Sequence, residues 1–381
     1  MSTLPFIQSL QLRCINIPFK LSFKHASATR TQTAALWVEA TSITGLTGVG
    51  EGCPRTYVTG ESLESATLFF QQYQAELIIQ VQDMASLRDW IQTHTSEIDR
   101  NPAAWCALEL ALLDVFAQQQ GCSMETLFGT PEIIGPFRYS AVLGDASAEQ
   151  FNRQCEQYIQ RGFCDFKVKL SGDIQRDREK LALLTHHRQG ASLRIRLDAN
   201  NLWPEAMSAL AFFEALPASY FAIEEPLHVG HYAELLQLAQ TLGVRIVLDE
   251  SFLREDQFDC LSVSPQSWII NLRVSKMGGL IRSLAIVEQA KKRGIALIIG
   301  AQVGETSLLT RAAWTVAQAA SDALLAQEGA FGTHLLSDDV HSPALMFGAG
   351  GALNPGDFLK QRRIGWGLRF HLAPDLSGAP S

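Results

Sequence analysis

Residues 165–170 read Asp165-Phe166-Lys167-Val168-Lys169-Leu170, and residues 193–198 read Leu193-Arg194-Ile195-Arg196-Leu197-Asp198. Both are short, largely apolar runs that carry a charge at the C-terminal end. Five further runs have the same length class: Phe137–Leu143, Tyr220–Glu225, Val244–Asp249, Trp268–Val274 and Ile295–Ile299. An eighth is expected around Phe331–Leu336. A helix-length segment follows each strand, and that alternation predicts a parallel sheet. An open doubly wound sheet predicts a Gly-rich phosphate loop after an early strand, and no G-x-G-x-x-G or G-x-x-x-x-G-K-[ST] occurs. The expectation for residues 136–340 is therefore an α/β barrel.

The segment before it has a different rhythm. Ala35-Leu36-Trp37-Val38-Glu39-Ala40 reads as a strand, and Gly48-Val49-Gly50-Glu51-Gly52 as its returning partner. Helices are expected over Glu61–Gln80 and Pro102–Gln120. The second has Pro at its start and Gly121 just past its end. Trp105, Leu108, Leu112 and Phe116 recur in it at helical spacing. Strands followed by helices predict an α+β domain over residues 1–130.

Composition narrows the function. The 381 residues are 47% hydrophobic and 18% charged, so the chain can bury a large core. Net charge is −8, and no basic block exceeds Lys291-Lys292-Arg293, which argues against nucleic acid as a partner. No apolar stretch reaches the roughly 18 residues of a membrane span. The start, Met1-Ser2-Thr3-Leu4-Pro5, lacks the basic region of a signal peptide. Seven scattered Cys with no C-x-x-C pair fit a cytoplasmic, reducing compartment.

The informative charges are Lys169, Asp198, Glu224, Asp249 and Lys276. They recur every 25 to 29 residues, one per β/α unit, at a strand's C-terminal end or just beyond it. A parallel strand buried on both faces is expected to be apolar throughout, and barrel active sites lie at this face. Singly, Asp198 reads better as a helix cap, Asp249 reads as another cap, and Glu224 reads equally well as a turn residue. Their shared phase favours a site. Three carboxylates without His or Cys suit a hard cation, Mg²⁺ before Mn²⁺. Lys169 and Lys276 belong to the second and sixth strands, opposite each other in an eight-stranded barrel. Opposed amines flanking a metal-held carboxylate suit removal of a proton α to that carboxylate. Lys167 shares a face with Lys169. It reads either as the cation that lowers the pKa of Lys169 or as a structural ion pair.

Together these residues resemble the enolase superfamily in its muconate-lactonising (muconate cycloisomerase) branch. The resemblance rests on Lys167-Val168-Lys169, Asp198-Ala199-Asn200, Ile223-Glu224-Glu225-Pro226, Asp249-Glu250-Ser251 and Lys276-Met277-Gly278-Gly279. Gly48–Glu51, Tyr57–Glu61 and Ala107–Asp114 resemble that family's capping domain. The resemblance implies a (β/α)7β modified TIM barrel with an N-terminal α+β capping domain, completed by a tail over about 345–381. It also implies Mg²⁺ on Asp198, Glu224 and Asp249, with Asn200 and Glu250 beside them and Lys169 and Lys276 as the acid/base pair.

The implied activity is racemisation or epimerisation of an amino-acid derivative such as a dipeptide. The alternatives are a lyase or cycloisomerase of the o-succinylbenzoate-synthase or muconate type and, more remotely, a non-catalytic binding protein. The implied partner is a small-molecule carboxylate, and a homo-oligomer is expected. Dipeptide epimerases carry Asp-x-Asp after the eighth strand. The candidate here is Asp339-Val340-His341 or Ser337-Asp338-Asp339, half of that pattern. Phe23, His25, Arg30, Gln302, Asp338 and Asp339 are the candidate substrate contacts. Gly300–Thr306 is one residue longer than the family's loop, and Arg273 stands where a Lys is frequent.

Overall fold

The computed structural model describes residues 6–25, 28–187, 192–217, 219–359, 364–373 and 376–378, with backbone alone at 21–25, 28–29 and 377–378. Its N-terminal part is an antiparallel sheet of Ile7–Ile15, Ala35–Ser42 and Thr47–Gly52, with Ser377–Gly378 on the outer edge. The sheet rests on the helix Pro102–Gln120, sixteen of whose side chains are buried. That helix stops at Gly121, whose φ of 63° is the left-handed conformation of a helix C-terminus.

The sheet–helix contact is written in two periodicities. Gly48, Gly50 and Gly52 occupy alternate positions and so share one face of their strand. A Cβ on them would lie 2.3, 2.0 and 1.9 Å from the carbonyl oxygens of Ala111, Ala107 and Ala103. Glycine every second residue thus meets alanine every fourth, and backbone lies against backbone. Glu51, between two of these glycines, points the other way.

The larger part is a run of eight parallel strands: Ala141–Leu143, Asp165–Lys169, Arg194–Asp198, Ala222–Glu224, Arg245–Leu248, Trp268–Leu272, Ala296–Ile299 and Leu324–Gln327. The Ser140 amide donates to the Gln327 carbonyl at 2.8 Å, linking the first strand's approach to the eighth strand. The barrel expectation holds, with two corrections. The eighth strand is not Phe331–Leu336, which contains a 3₁₀ turn at Gly332–His334. Ala330, at a φ of 51°, turns the chain out of strand conformation just before it. The strand lies earlier, where Leu324-Leu325-Ala326-Gln327 is too short and weakly apolar to stand out. The run Phe137–Leu143 is also split. Phe137–Arg138 pairs with Ala352–Leu353, and Ala141–Leu143 alone enters the barrel.

Carboxylates join the two parts. Glu109, on the long N-terminal helix, accepts from the Leu280 and Ile281 amides at 2.5 and 3.0 Å, at the start of the helix Leu280–Arg293. Glu51 accepts from the Thr306 amide at 2.9 Å and its hydroxyl at 2.5 Å, where the helix Ser307–Ala319 begins. Free N–H groups and the positive end of the helix dipole favour an acid at both places. Gly279 is obligatory beside Glu109. Its φ is 95°, and a Cβ there would lie 2.4 Å from the carboxylate. These helices follow the sixth and seventh strands, so the N-terminal part fixes the two loops that lead into them.

The glycine stripe yields a stability prediction. Gly50→Ala forces a methyl into the Ala107 carbonyl and is expected to lower the unfolding free energy by about 3 kcal/mol. Urea unfolding checks it, and an unchanged midpoint would mean the helix can slide away.

Candidate active site

The second, third and fourth barrel strands are paired in register, so Lys169, Asp198 and Glu224 stand side by side at one level. Asp249 follows the fifth strand. Lys276 lies in the short helix Val274–Met277 after the sixth. All five are buried. Neither Asp198 nor Asp249 starts a helix: the helix after Asp198 begins at Ala206, with Glu205 at the position before it, and the 3₁₀ helix after Asp249 begins at Glu255, with Arg254 before it.

Lys167 sits one layer deeper, level with Arg196. Its ammonium lies 2.7 Å from Glu224, 3.1 Å from Asp198 and 3.2 Å from Glu328. Burial works to lower its pKa, but these three acids together hold it well above the usual lysine value. Lys167 is therefore an ion-paired cation. Arg196 completes the layer, at 2.7 Å from both Asp165 and Glu328.

Lys169 donates to the Asn200 Oδ1 at 2.8 Å and lies 3.1 Å from Asp198. Burial favours the neutral form of Asp198, yet Lys167 and Lys169 outweigh it and keep the carboxyl well below its usual range. Glu224 is pushed by burial up to about 7, despite Lys167. Asp249 pairs with Arg273 through one oxygen and with Lys276 through the other, the latter at 2.9 Å. These partners hold it low against the effect of burial. Lys276 also donates to the Asp249 and Asn271 carbonyls, each at 2.7 Å. Burial lowers its pKa, against the pull of Asp249. Glu250 is raised by burial and by the neighbouring Asp249 charge.

A cavity opens over this group. Its charged and polar lining is Lys167, Lys169, Asp198, Asn200, Glu250, Arg273, Gln302 and Glu328. Val142, Ala301, Val303, Gly329, Phe331 and Leu335 line it too, with Tyr57 from the N-terminal part. Lys276, Glu224 and Asp249 are not among its walls. Lys276 is only 1% exposed and lies behind, anchored on the same Asp249 that Arg273 grips.

The other sequence candidates fare unevenly. Gln302 lines the cavity. Arg30 lies over the Tyr57 ring, 5.7 Å from its centroid. The side chains of Phe23 and His25 lie outside the described residues. Asp338 and Asp339 are not among the residues that line the cavity. Asp339 accepts from the Ser307 amide at 3.0 Å, at a helix start, and Asp338 is exposed and accepts from the Asp339 amide. That expectation followed from the misplaced eighth strand. The residue just past the true strand is Glu328, which sequence reasoning missed along with Arg196. Alternation alone places Arg196 on the Asp198 face. Glu225 braces two strand ends, accepting from the Asp249 and Ser251 amides at 2.6 and 2.7 Å.

Among the described residues, no three His, Cys, Asp or Glu side chains are already gathered into a metal cage. The chain's own cations hold the acids. Yet Glu224 Oε2 is buried without a hydrogen-bond donor, and Asp198 Oδ2 meets only the Lys167 and Lys169 ammonium groups, each at 3.1 Å. An unsatisfied carboxylate oxygen in an all-oxygen set suits a hard divalent ion.

Comparison with known proteins identifies the family of both parts of the chain. Residues 8–129 match the mandelate racemase / muconate lactonizing enzyme N-terminal domain, and residues 150–371 the enolase C-terminal domain-like family. The L-Ala-D/L-Glu epimerase of Bacillus subtilis is 26% identical, over 77% of this chain and 80% of its own length. The structure of a dipeptide epimerase from Methylococcus capsulatus, complexed with Mg and the dipeptide L-Arg-D-Lys, is 26% identical with a TM-score of 0.81. It covers 96% of this chain and 100% of that one. The N-succinyl Arg/Lys racemase from Bacillus cereus shares the fold at 20% identity and a TM-score of 0.81, over 96% of both chains. The chain belongs to the enolase superfamily, carrying both domains of its mandelate racemase and muconate lactonizing branch.

Proposed function

We propose that this protein racemises or epimerises an amino-acid derivative by moving the proton α to its carboxylate. The observation that carries the reading is the pair of lysines, one at the end of the second strand and one just past the sixth, set around buried acids of which Glu224 keeps an unpartnered oxygen. Relatives that are epimerases and racemases support it.

Asp198, Glu224 and Asp249 are the residues that would hold Mg²⁺, or Mn²⁺ in its place. When bound, the ion supplies positive charge for the substrate carboxylate and for the negative charge that builds as the α-proton leaves. The chain's residues do the rest. Lys169 lies on the cavity wall and takes or returns the proton on one face of Cα. Asn200 Oδ1, at 2.8 Å, fixes the position of its Nζ. Lys276 serves the other face, and its burial favours the neutral amine that a base requires. It reaches the cavity once Arg273 releases Asp249. Lys167 keeps its proton and holds Asp198 and Glu224 together.

Two facing bases predict inversion with exchange. In D₂O, deuterium is expected at Cα together with loss of optical activity, followed by NMR and polarimetry. Lys169→Ala and Lys276→Ala are each expected to slow racemisation about 10³-fold. Each variant keeps exchange with one enantiomer only, and the two variants keep opposite ones. Loss of water or ring formation without inversion would instead make the protein a lyase or cycloisomerase.

Chelation gives a separate test. Dialysis against EDTA is expected to abolish exchange and added Mg²⁺ to restore it, with Asp198→Asn beyond restoration. Exchange that persists in EDTA would remove the metal from the account.

A further inference from the structure

The peptide bond that follows Lys169 is pinned from both sides. In an extended strand the C=O and N–H of one trans peptide point to opposite neighbours. The Leu170 amide turns toward the third strand and donates to the Asp198 carbonyl at 2.8 Å. The Lys169 carbonyl therefore turns toward the first strand. That strand ends one residue too soon, because its last paired residue, Leu143, is level with Val168. A carbonyl at a strand end that has run out of neighbour needs another donor. Lys180, from the helix Ile174–His187, supplies it, with Nζ 3.0 Å from the Lys169 oxygen.

The surroundings of Lys180 are built for that contact. The residue is 3% exposed. Besides the Lys169 oxygen, its ammonium meets Asp177 Oδ1 at 2.8 Å and Asp145 Oδ1 at 2.7 Å, which accounts for all three donors. Asp145 lies two residues past the first strand, so the ammonium adds one rung between the first and second strand ends. Arg176 holds the same Asp145 oxygen at 2.9 Å. Asp177 is fully buried and accepts from the Ser171 amide at 2.9 Å, the Ser171 hydroxyl at 3.0 Å and the Gly172 amide at 3.0 Å. The turn after Leu170 is thus wrapped around one carboxylate, with Gly172 at a φ of 83° making the bend. Lys276 is anchored elsewhere, on the Asp249 and Asn271 carbonyls.

We propose that Lys180 is a positioning residue for proton transfer on the face of Cα that Lys169 serves. It fixes the main chain of Lys169 as Asn200 fixes its amine, and together they set the direction from which that amine meets the substrate. The proposal rests on the racemase reading of the site. Its consequence is lopsided: loss of Lys180 weakens Lys169 and spares Lys276. A buried ion pair that only anchored the helix would lower both in proportion to the folded protein lost.

Deuterium exchange at Cα reads the two lysines separately, because each enantiomer gives its proton to a different one. The probes are the N-acetyl, N-succinyl and L-alanyl derivatives of leucine, glutamate and arginine, each in both configurations at the exchanging carbon. Exchange is followed by NMR with the Mg²⁺-loaded protein, and Lys169→Ala and Lys276→Ala identify the enantiomer that each lysine serves. In Lys180→Met, exchange of the Lys169 enantiomer is expected to fall at least about tenfold relative to that of the other. Unfolded protein subtracts equally from both rates and leaves their ratio untouched. An unchanged ratio would overturn the proposal and make Lys180 an ion pair of the scaffold alone.

Should Lys180→Met not fold, Asp145→Asn takes its place. Asp145 is at the exposed end of the cluster, and its neutral variant loosens the ammonium without emptying the interior. It must shift the ratio in the same direction, and a folded Asp145→Asn protein with the wild-type ratio would overturn the proposal equally. Wild-type protein that exchanges none of the probes would defeat the racemase reading itself, and the positioning role with it.

Discussion

A carboxylate taken out of water must find positive charge or give up its own. Asp198, Glu224, Asp249, Glu250 and Glu328 are crowded at one end of this barrel, and the rest of the site follows from how they are balanced. Lys167 is shared by Asp198, Glu224 and Glu328, Arg196 closes the base on Glu328, and Arg273 with Lys276 holds Asp249. The balance is uneven. Glu224 keeps an oxygen without a donor, while both oxygens of Asp198 and of Asp249 are engaged by the chain's own groups. A divalent ion would satisfy Glu224 and would compete with Lys167 and Lys169 for Asp198 and with Arg273 for Asp249. Arg273 also connects these acids to Gln302, which the same guanidinium holds.

The scaffold keeps these groups in place from outside. Lys276 lies on a four-residue helical turn and Gln302 on a loop, in the connections after two strands, which are ordinarily the mobile parts of a fold. Here the helix after each loop begins against an acid of the N-terminal part, Glu109 in one case and Glu51 in the other. Those acids hold their place because three glycines let the strand bearing Glu51 lie directly on the helix bearing Glu109. The chain of causes runs from a stripe of missing side chains, through two helix starts, to the orientation of an amine and an amide in the site.

Much of this was legible in the sequence because the rule it breaks is strong. Parallel strands buried on both faces are apolar, so Lys169, Asp198, Glu224 and Asp249 at successive strand ends stand out at once. Glycine alternation from Gly48 to Gly52 was equally plain as a strand, though its meeting with Ala103, Ala107 and Ala111 required the fold. The eighth strand was misplaced because Leu324–Gln327 is short and ends in a polar residue, whereas Phe331–Leu336 is richer in large apolar groups. With it went Glu328, and Asp338 and Asp339 were taken for cavity residues instead. The depth of Lys276 and the grip of Arg273 on Asp249 were not legible. Which cation a buried acid chooses depends on distances across the barrel, and spacing along the chain does not report them.

The most direct measurement is anomalous diffraction from crystals soaked in Mn²⁺. The account predicts one strong peak coordinated by oxygens of Asp198, Glu224 and Asp249, with the Arg273 guanidinium drawn off Asp249 and Lys276 opened to the cavity. Crystals that show no peak among these acids, with Arg273 still seated on Asp249, would contradict it.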